Sequence, residues 1–192
     1  MPNKPQPAYI FKICLLGAGA VGKTCIARRL CFDTFDANTK LTIGIDFYTY
    51  ELPVLIKKRK SFIRLSVWDF GGQEQFKRLF TYYTNGANGI FMTFDLTNLQ
   101  SLLSLDWWYE RLTDEKVINC PKILLGTKED LVKKMDKHSR VDDLVIKQFM
   151  NRHKEKDFVK TSSKENVNII QSFKKITERI LEDHQLAYDK LL

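Results

Sequence analysis

Long apolar runs are missing from this chain of 192 residues: no uninterrupted stretch is long enough to cross a bilayer. The first eight residues hold three prolines and no apolar run, so residues 1–8 read as a loose arm and not as a signal peptide. Position 2 is Pro where N-myristoylation requires Gly, which excludes that modification as encoded. Cysteine is sparse. Cys14, Cys25, Cys31 and Cys120 show no CxxC spacing, which excludes a zinc ribbon or disulfide framework and leaves reduced thiols in a cytoplasmic protein. No cysteine follows Cys120, so no C-terminal prenyl anchor is encoded, and any membrane association is expected to be peripheral. His138, His153 and His184 form no ligand-like cluster and read as surface residues. Linkers, repeats and low-complexity tracts are also absent, which leaves one domain over residues 9–183 and a short tail over 184–192.

Charge is not scarce. The net value is +8, which attracts acidic partners without naming one. A nucleic-acid binder would add a readout module, and none is present, so no nucleic-acid partner is expected. Acidic membrane surfaces, acidic proteins and simple solubility remain open.

Short apolar segments alternate with amphipathic ones. Tyr9 to Leu16 reads as a buried strand. Leu41 to Ile56 and Ser61 to Trp68, joined by Lys57-Lys58-Arg59-Lys60, read as an antiparallel hairpin. Gly89 to Leu96, Pro121 to Gly126 and Asp157 to Thr161 give three more strands. Between them, Gln100 to Lys116 places Leu102, Leu105, Trp108, Tyr109 and Leu112 at helical steps, and Val141 to His153 does so less cleanly. Asn166 is placed to cap a last helix striped by Ile169, Ile170, Phe173, Ile176 and Ile180. The expectation is an α/β domain, a mostly parallel six-stranded sheet with helices on both faces and ligands at the carboxyl ends of its strands.

Directly after the first strand stands Gly17-Ala18-Gly19-Ala20-Val21-Gly22-Lys23-Thr24, a complete GxxxxGK[ST] loop, and a helical pattern begins at Lys23. Glycines let successive backbone N–H groups turn inward as an anion nest at a helix N-terminus. Lys23 would reach the β- and γ-phosphates, and the Thr24 hydroxyl would ligate Mg²⁺. Trp68-Asp69-Phe70-Gly71-Gly72-Gln73-Glu74 comes one hairpin later. Asp69 at a strand end suits a metal contact, Gly72 can offer its N–H to a γ-phosphate, and Gln73 can hold an attacking water. Thr127-Lys128-Glu129-Asp130 follows another strand, and a carboxylate there can accept two N–H bonds from guanine but finds no such pair on adenine. The Lys128 stem can lie over the base plane. Thr161-Ser162-Ser163-Lys164, past the last strand, offers N–H groups to guanine O6. Singly, Asp130 could be a solvated loop charge, and Ser162 or Ser163 a helix cap. Together, at successive strand ends, they describe a guanine-nucleotide site.

With these motifs in place, the sequence resembles the Ras superfamily of small GTPases from about Tyr9 to Leu181, over the P-loop NTPase (small G-protein) fold. Thr42-Ile43-Gly44-Ile45-Asp46-Phe47 and Asp95-Leu96-Thr97-Asn98 resemble the Rab branch most. The resemblance implies GTP/GDP and Mg²⁺ as ligands, bound through Gly17, Gly19, Ala20, Val21, Gly22, Lys23, Thr24, Cys25, Phe35, Gly72, Thr127, Lys128, Asp130, Ser162, Ser163 and Lys164. Thr42 would close on Mg²⁺ and the γ-phosphate, beside Thr24 and Asp69. Phe35 would pack edge-on against the base. Gln73, Lys23 and Thr42 would serve slow hydrolysis in a switch acting in membrane traffic or signalling. Effectors, exchange factors and GTPase-activating proteins would bind a monomer through residues 36–46 and 69–83. No arginine is placed as an internal finger, and Gly19 leaves room for one supplied in trans.

Besides the lack of any cysteine after Cys120, the largest departure, four features depart from the pattern. Thr127 replaces the usual Asn of NKxD, as in Rac-like members, and a hydroxyl can replace only part of the amide's tie to the phosphate loop. Gly71 replaces the usual Ala, as in Arf-type proteins, and implies a freer loop. Thr39 stands where many members place a tyrosine. The basic hairpin is long, and its four charges either block edge pairing or contact acidic lipid or a partner. Two other readings compete with the switch: a small-molecule kinase, for which no arginine-bearing lid is found, and a GTP-binding scaffold with little hydrolysis.

Overall fold

A computed structural model describes residues 5–73, 80–113, 119–136 and 139–192. β1 (Tyr9–Leu16), β4 (Gly89–Asp95), β5 (Lys122–Thr127) and β6 (Phe158–Lys160) run parallel, and β3 (Arg59–Phe70) joins them beside β1. β2 (Ile45–Ile56) pairs antiparallel with β3 and carries a further strand on its outer side, β7 (Lys190–Leu191). The order is β6-β5-β4-β1-β3-β2-β7. The sheet therefore has seven strands where six were expected. A two-residue strand in a charged tail carries no periodic signal. It forms because Leu191 is apolar enough to bury against the end of β2.

Burial follows sheet position. All of β4 is buried, as a strand flanked on both sides and covered on both faces must be. β2, near the edge, buries only alternate residues toward its far end, where Leu52 and Val54 enter the core. One core packs α1 (Lys23–Phe32) and α7 (Ile169–Asp183) against Phe11, Ile13, Leu15 and Phe91. The opposite core joins Cys14, Leu16 and Met92 to α2 (Phe80–Thr84), α3 (Leu99–Leu103), α4 (Leu105–Thr113) and α6 (Asp143–His153). A one-turn helix, α5 (Glu129–Val132), follows β5.

Several local expectations are corrected. The helix expected over 100–116 is two helices broken at Ser104, whose hydroxyl bonds back to the Ser101 carbonyl at 2.9 Å. Its last expected residues, up to Lys116, lie outside the described segments. Asn166 does not cap α7. Asn168 holds that place with a left-handed φ of 57°, and the Asn166 amide donates to Asp33 instead. Only Lys57 and Lys58 form the hairpin link, because Arg59 and Lys60 already belong to β3. His153 is half-buried and not a free surface residue: it meets Asp106 at 2.6 Å and stacks on Tyr109. His138 lies outside the described residues. The short tail is tied down. Leu186 N donates to Leu181 O, Tyr9 Oη to Ala187 O, and Asp189 N to Leu55 O.

Candidate nucleotide site

The carboxyl ends of β1, β3 and β5 meet at a cleft of about 430 Å³. Its floor is the loop leaving β1. Gly17 has a φ of 142°, and a Cβ there would lie 2.1 Å from the Thr93 carbonyl oxygen, so only glycine lets the loop pass β4. Gly22, at φ 104°, opens α1, whose N-terminal N–H groups face the cleft. Lys23 is buried and donates to the carbonyls of Gly17 at 2.9 Å and Ala18 at 2.7 Å. Burial lowers its pKa to about 8, against the opposing pull of Asp69.

Three oxygens from three distant segments converge beside it. Thr24 Oγ1 donates to Asp69 Oδ2 at 2.5 Å, Thr42 Oγ1 donates to the same oxygen at 3.2 Å, and the two hydroxyls lie 2.9 Å apart. The second carboxylate oxygen of Asp69, Oδ1, is buried and has no hydrogen-bond partner among the described residues. Burial pushes the Asp69 carboxyl above its usual range, while Lys23 and the two hydroxyls pull it down. A hard divalent cation would satisfy this set: it takes oxygen ligands and offsets the desolvated charge. The residues present fit such an ion.

Gly72 sits against the phosphate loop. A Cβ there would fall 2.3 Å from Ala18 C and Gly19 N, so its backbone can approach that loop only as glycine. The Gly71 N–H donates to Gly44 O at 2.9 Å, which ties the segment after β3 to the one before β2. That bond restrains the loop that Gly71 was expected to loosen. Gln73 lines the cleft, and residues 74–79 lie outside the described segments. Gly19 also lines the cleft, and a Cβ there would meet only the Leu41 side chain at 3.6 Å. Thr39 caps a turn by donating to Asp36 O at 2.7 Å.

The other end of the cleft gathers Phe35, Thr127, Lys128, Asp130, Ser163 and Lys164. Thr127 Oγ1 lies 2.5 Å from the Val21 carbonyl oxygen and 3.0 Å from that of Phe94. The hydroxyl thus does reach the phosphate loop. Val21 and Ser162 are buried behind the cleft and do not line it. Ser162 Oγ donates to Asp130 Oδ1 at 2.7 Å, fixing that carboxylate.

Several contacts were not anticipated. Lys128 pairs with Asp95 at 2.7 Å, and Asp95 is itself held by the N–H and hydroxyl of Thr97, which explains the Asp-Leu-Thr-Asn spacing. Arg29 Nε donates to Ser163 O at 2.7 Å, joining α1 to the 161–164 loop. Phe47 packs edge-on against Trp68 with ring centroids 4.6 Å apart, and the Lys12 ammonium lies 3.5 Å from the Trp68 ring centroid. A strand-face aromatic opposite another in an expected hairpin was the available signal for that last pair.

Known families sharpen the geometry. Residues 12–182 match the Ras family. The chain belongs to that family. It is a small GTPase, and its pattern is Rab-like. It is similar to the GTP-binding protein ypt1 of Schizosaccharomyces pombe, 32% identical over 180 residues, covering 93% of this chain and 83% of the relative. Ras-related protein Rab-13 of Rattus norvegicus is 32% identical over 173 residues, covering 90% of this chain and 81% of its own. Ras-related protein Rab-10 of Diplobatis ommata is 33% identical over 173 residues, covering 90% and 82%.

Proposed function

We propose that this small GTPase is a Mg²⁺-dependent switch with slow intrinsic hydrolysis, acting in membrane traffic or signalling. The observation that carries the reading is the convergence of Thr24, Thr42 and Asp69 on one point, with Asp69 Oδ1 unpartnered among the described residues. Thr24 and Thr42 would ligate Mg²⁺ with Asp69 behind them, and the ion would neutralise charge between the phosphates. Lys23 would exchange its two carbonyl partners for phosphate oxygens. The Gly72 N–H would bond the γ-phosphate. Gln73 would orient water in line with the bond to be broken.

Base selection would rest on Asp130, held by Ser162, with Phe35 and the Lys128 stem on either face of the base and Ser163 and Lys164 contributing N–H groups. Thr42 and Gly72 sit on the segments 36–46 and 69–83, so loss of the γ-phosphate would release both. Leu41, Ile43 and Phe47 are 52%, 83% and 60% exposed beside those segments, which supports their use as docking surface for effectors and regulators.

The deciding experiment measures Mg²⁺-dependent binding of GTP, GDP and ATP, followed by single-turnover hydrolysis. Guanine preference with slow turnover is expected. Preference for ATP would remove the guanine reading, and tight GTP binding without turnover would make the protein a scaffold.

A further inference from the structure

The β2–β3 hairpin ends in a tip at the pole opposite the nucleotide site. β3 runs 12 residues from Arg59 at the tip to Phe70 at the cleft, a span of roughly 36–40 Å. Lys57, Lys58, Arg59 and Lys60 are all exposed there, and Lys190 of β7 joins them, paired with Leu55. Among the described residues none of these five cations makes a side-chain ion pair.

Neither ordinary structural reason for such a cluster holds. Charges at a sheet edge serve to block strand pairing, but here the outer edge of β2 at Val54 and Leu55 is already covered by β7. Nor does the turn call for lysine. Lys57 and Lys58 have φ values of 48° and 62°, both left-handed, and a two-residue turn of that kind favours Asn-Gly. The chain keeps two β-substituted cations where glycine would fold more easily. It also holds them still: the Asp189 carboxylate accepts the Lys58 N–H at 2.6 Å, stapling the turn to the tail.

We infer that this basic tip docks on an anionic lipid surface. A convex turn offers no groove for a peptide, whereas five projecting cations, with only the Asp189 carboxylate seen among them in the described residues, suit a flat sheet of phosphate headgroups. Lysine and arginine stems can lie along the interface with their heads in the headgroup layer. Docking by this pole leaves the cleft and the exposed Ile43 and Phe47 turned away from the bilayer, so switching and anchoring would not compete.

The test is co-sedimentation of the full GDP- and Mg²⁺-loaded chain with vesicles of phosphatidylcholine alone, or with about a third replaced by phosphatidylserine. Wild type should bind only the anionic vesicles and should lose binding as salt rises. The Lys57→Asn, Lys58→Gly, Arg59→Thr, Lys60→Thr variant suits the turn and strand better and should fold. At roughly fivefold per cation it should bind on the order of 10²- to 10³-fold more weakly, with GDP binding and hydrolysis unchanged. A matched variant, with Lys134, Lys147, Lys154 and Lys156 each changed to Gln, should keep most of its binding. Equal binding to neutral vesicles, an unaffected tip variant, or an equal loss in the matched variant would each overturn the inference. So would a tip-dependent preference for polyglutamate or duplex DNA over vesicles.

Discussion

Asp130 is the residue on which base choice should turn, because a fixed carboxylate discriminates by the N–H pair it can accept. Ser162 holds it at 2.7 Å, so Asp130→Ala should remove roughly 1–3 kcal/mol of preference for GDP over ADP, read by competition binding. Gln73→Leu should leave GTP affinity intact and slow single-turnover hydrolysis about tenfold, the value of one transition-state hydrogen bond. An unaltered rate would take Gln73 out of the chemistry. Thr127→Val keeps shape but leaves the buried carbonyls of Val21 and Phe94 without that hydroxyl. The cost should be about 1–3 kcal/mol, appearing as faster GDP release. The phosphate-loop, Asp69–Gln73, 127–130 and 161–164 motifs were legible in sequence because each has its own chemistry and a fixed place at a strand end. Arg29 was not, and Asp95, read as part of a motif, was not matched to Lys128: their roles lie in holding Ser163 and Lys128, partners that folding alone brings near.

At the scale of elements, legibility tracked how many residues share a signal. β4 and α7, apolar over long windows, were plain in the sequence. The break at Ser104 and the displacement of Asn166 each hinge on one side-chain hydrogen bond, below the resolution of any periodicity. β7 was missed for the same reason. Its contribution rests on Leu191, 5% exposed against the core that includes Leu52 and Val54. Leu191→Ala should cost about 2–3 kcal/mol in urea unfolding while leaving nucleotide release unchanged, since β7 lies across the sheet from the cleft. A shift in release rate would couple this edge to the site.

For the whole molecule, one buried and two half-buried thiols set an alkaline limit. Burial raises Cys14 from 9.0 to about 12, and Cys31 and Cys120 to about 11. Near pH 9 the unfolded chain begins to lose these protons while the folded chain keeps them. Their contribution is therefore complete below about pH 9 and is lost as pH climbs toward 11 and 12. Urea midpoints taken across that window should fall, and a Cys31→Ala, Cys120→Ala double variant should flatten the decline.

The tail that staples the hairpin also fixes how far Leu192 lies from Ala8. Ala8 N donates to Phe62 O on one side of the β2–β3 ladder, Leu192 N donates to Pro53 O on the other, and Pro53 faces Phe62 across it. Ala8 and Leu192 are thus three strand spacings apart, about 14 Å. A linker of about five residues would close that gap. The domain between Ala8 and Leu192 can then be circularly permuted by joining those two residues, with new ends cut into a surface loop and the cleft left whole.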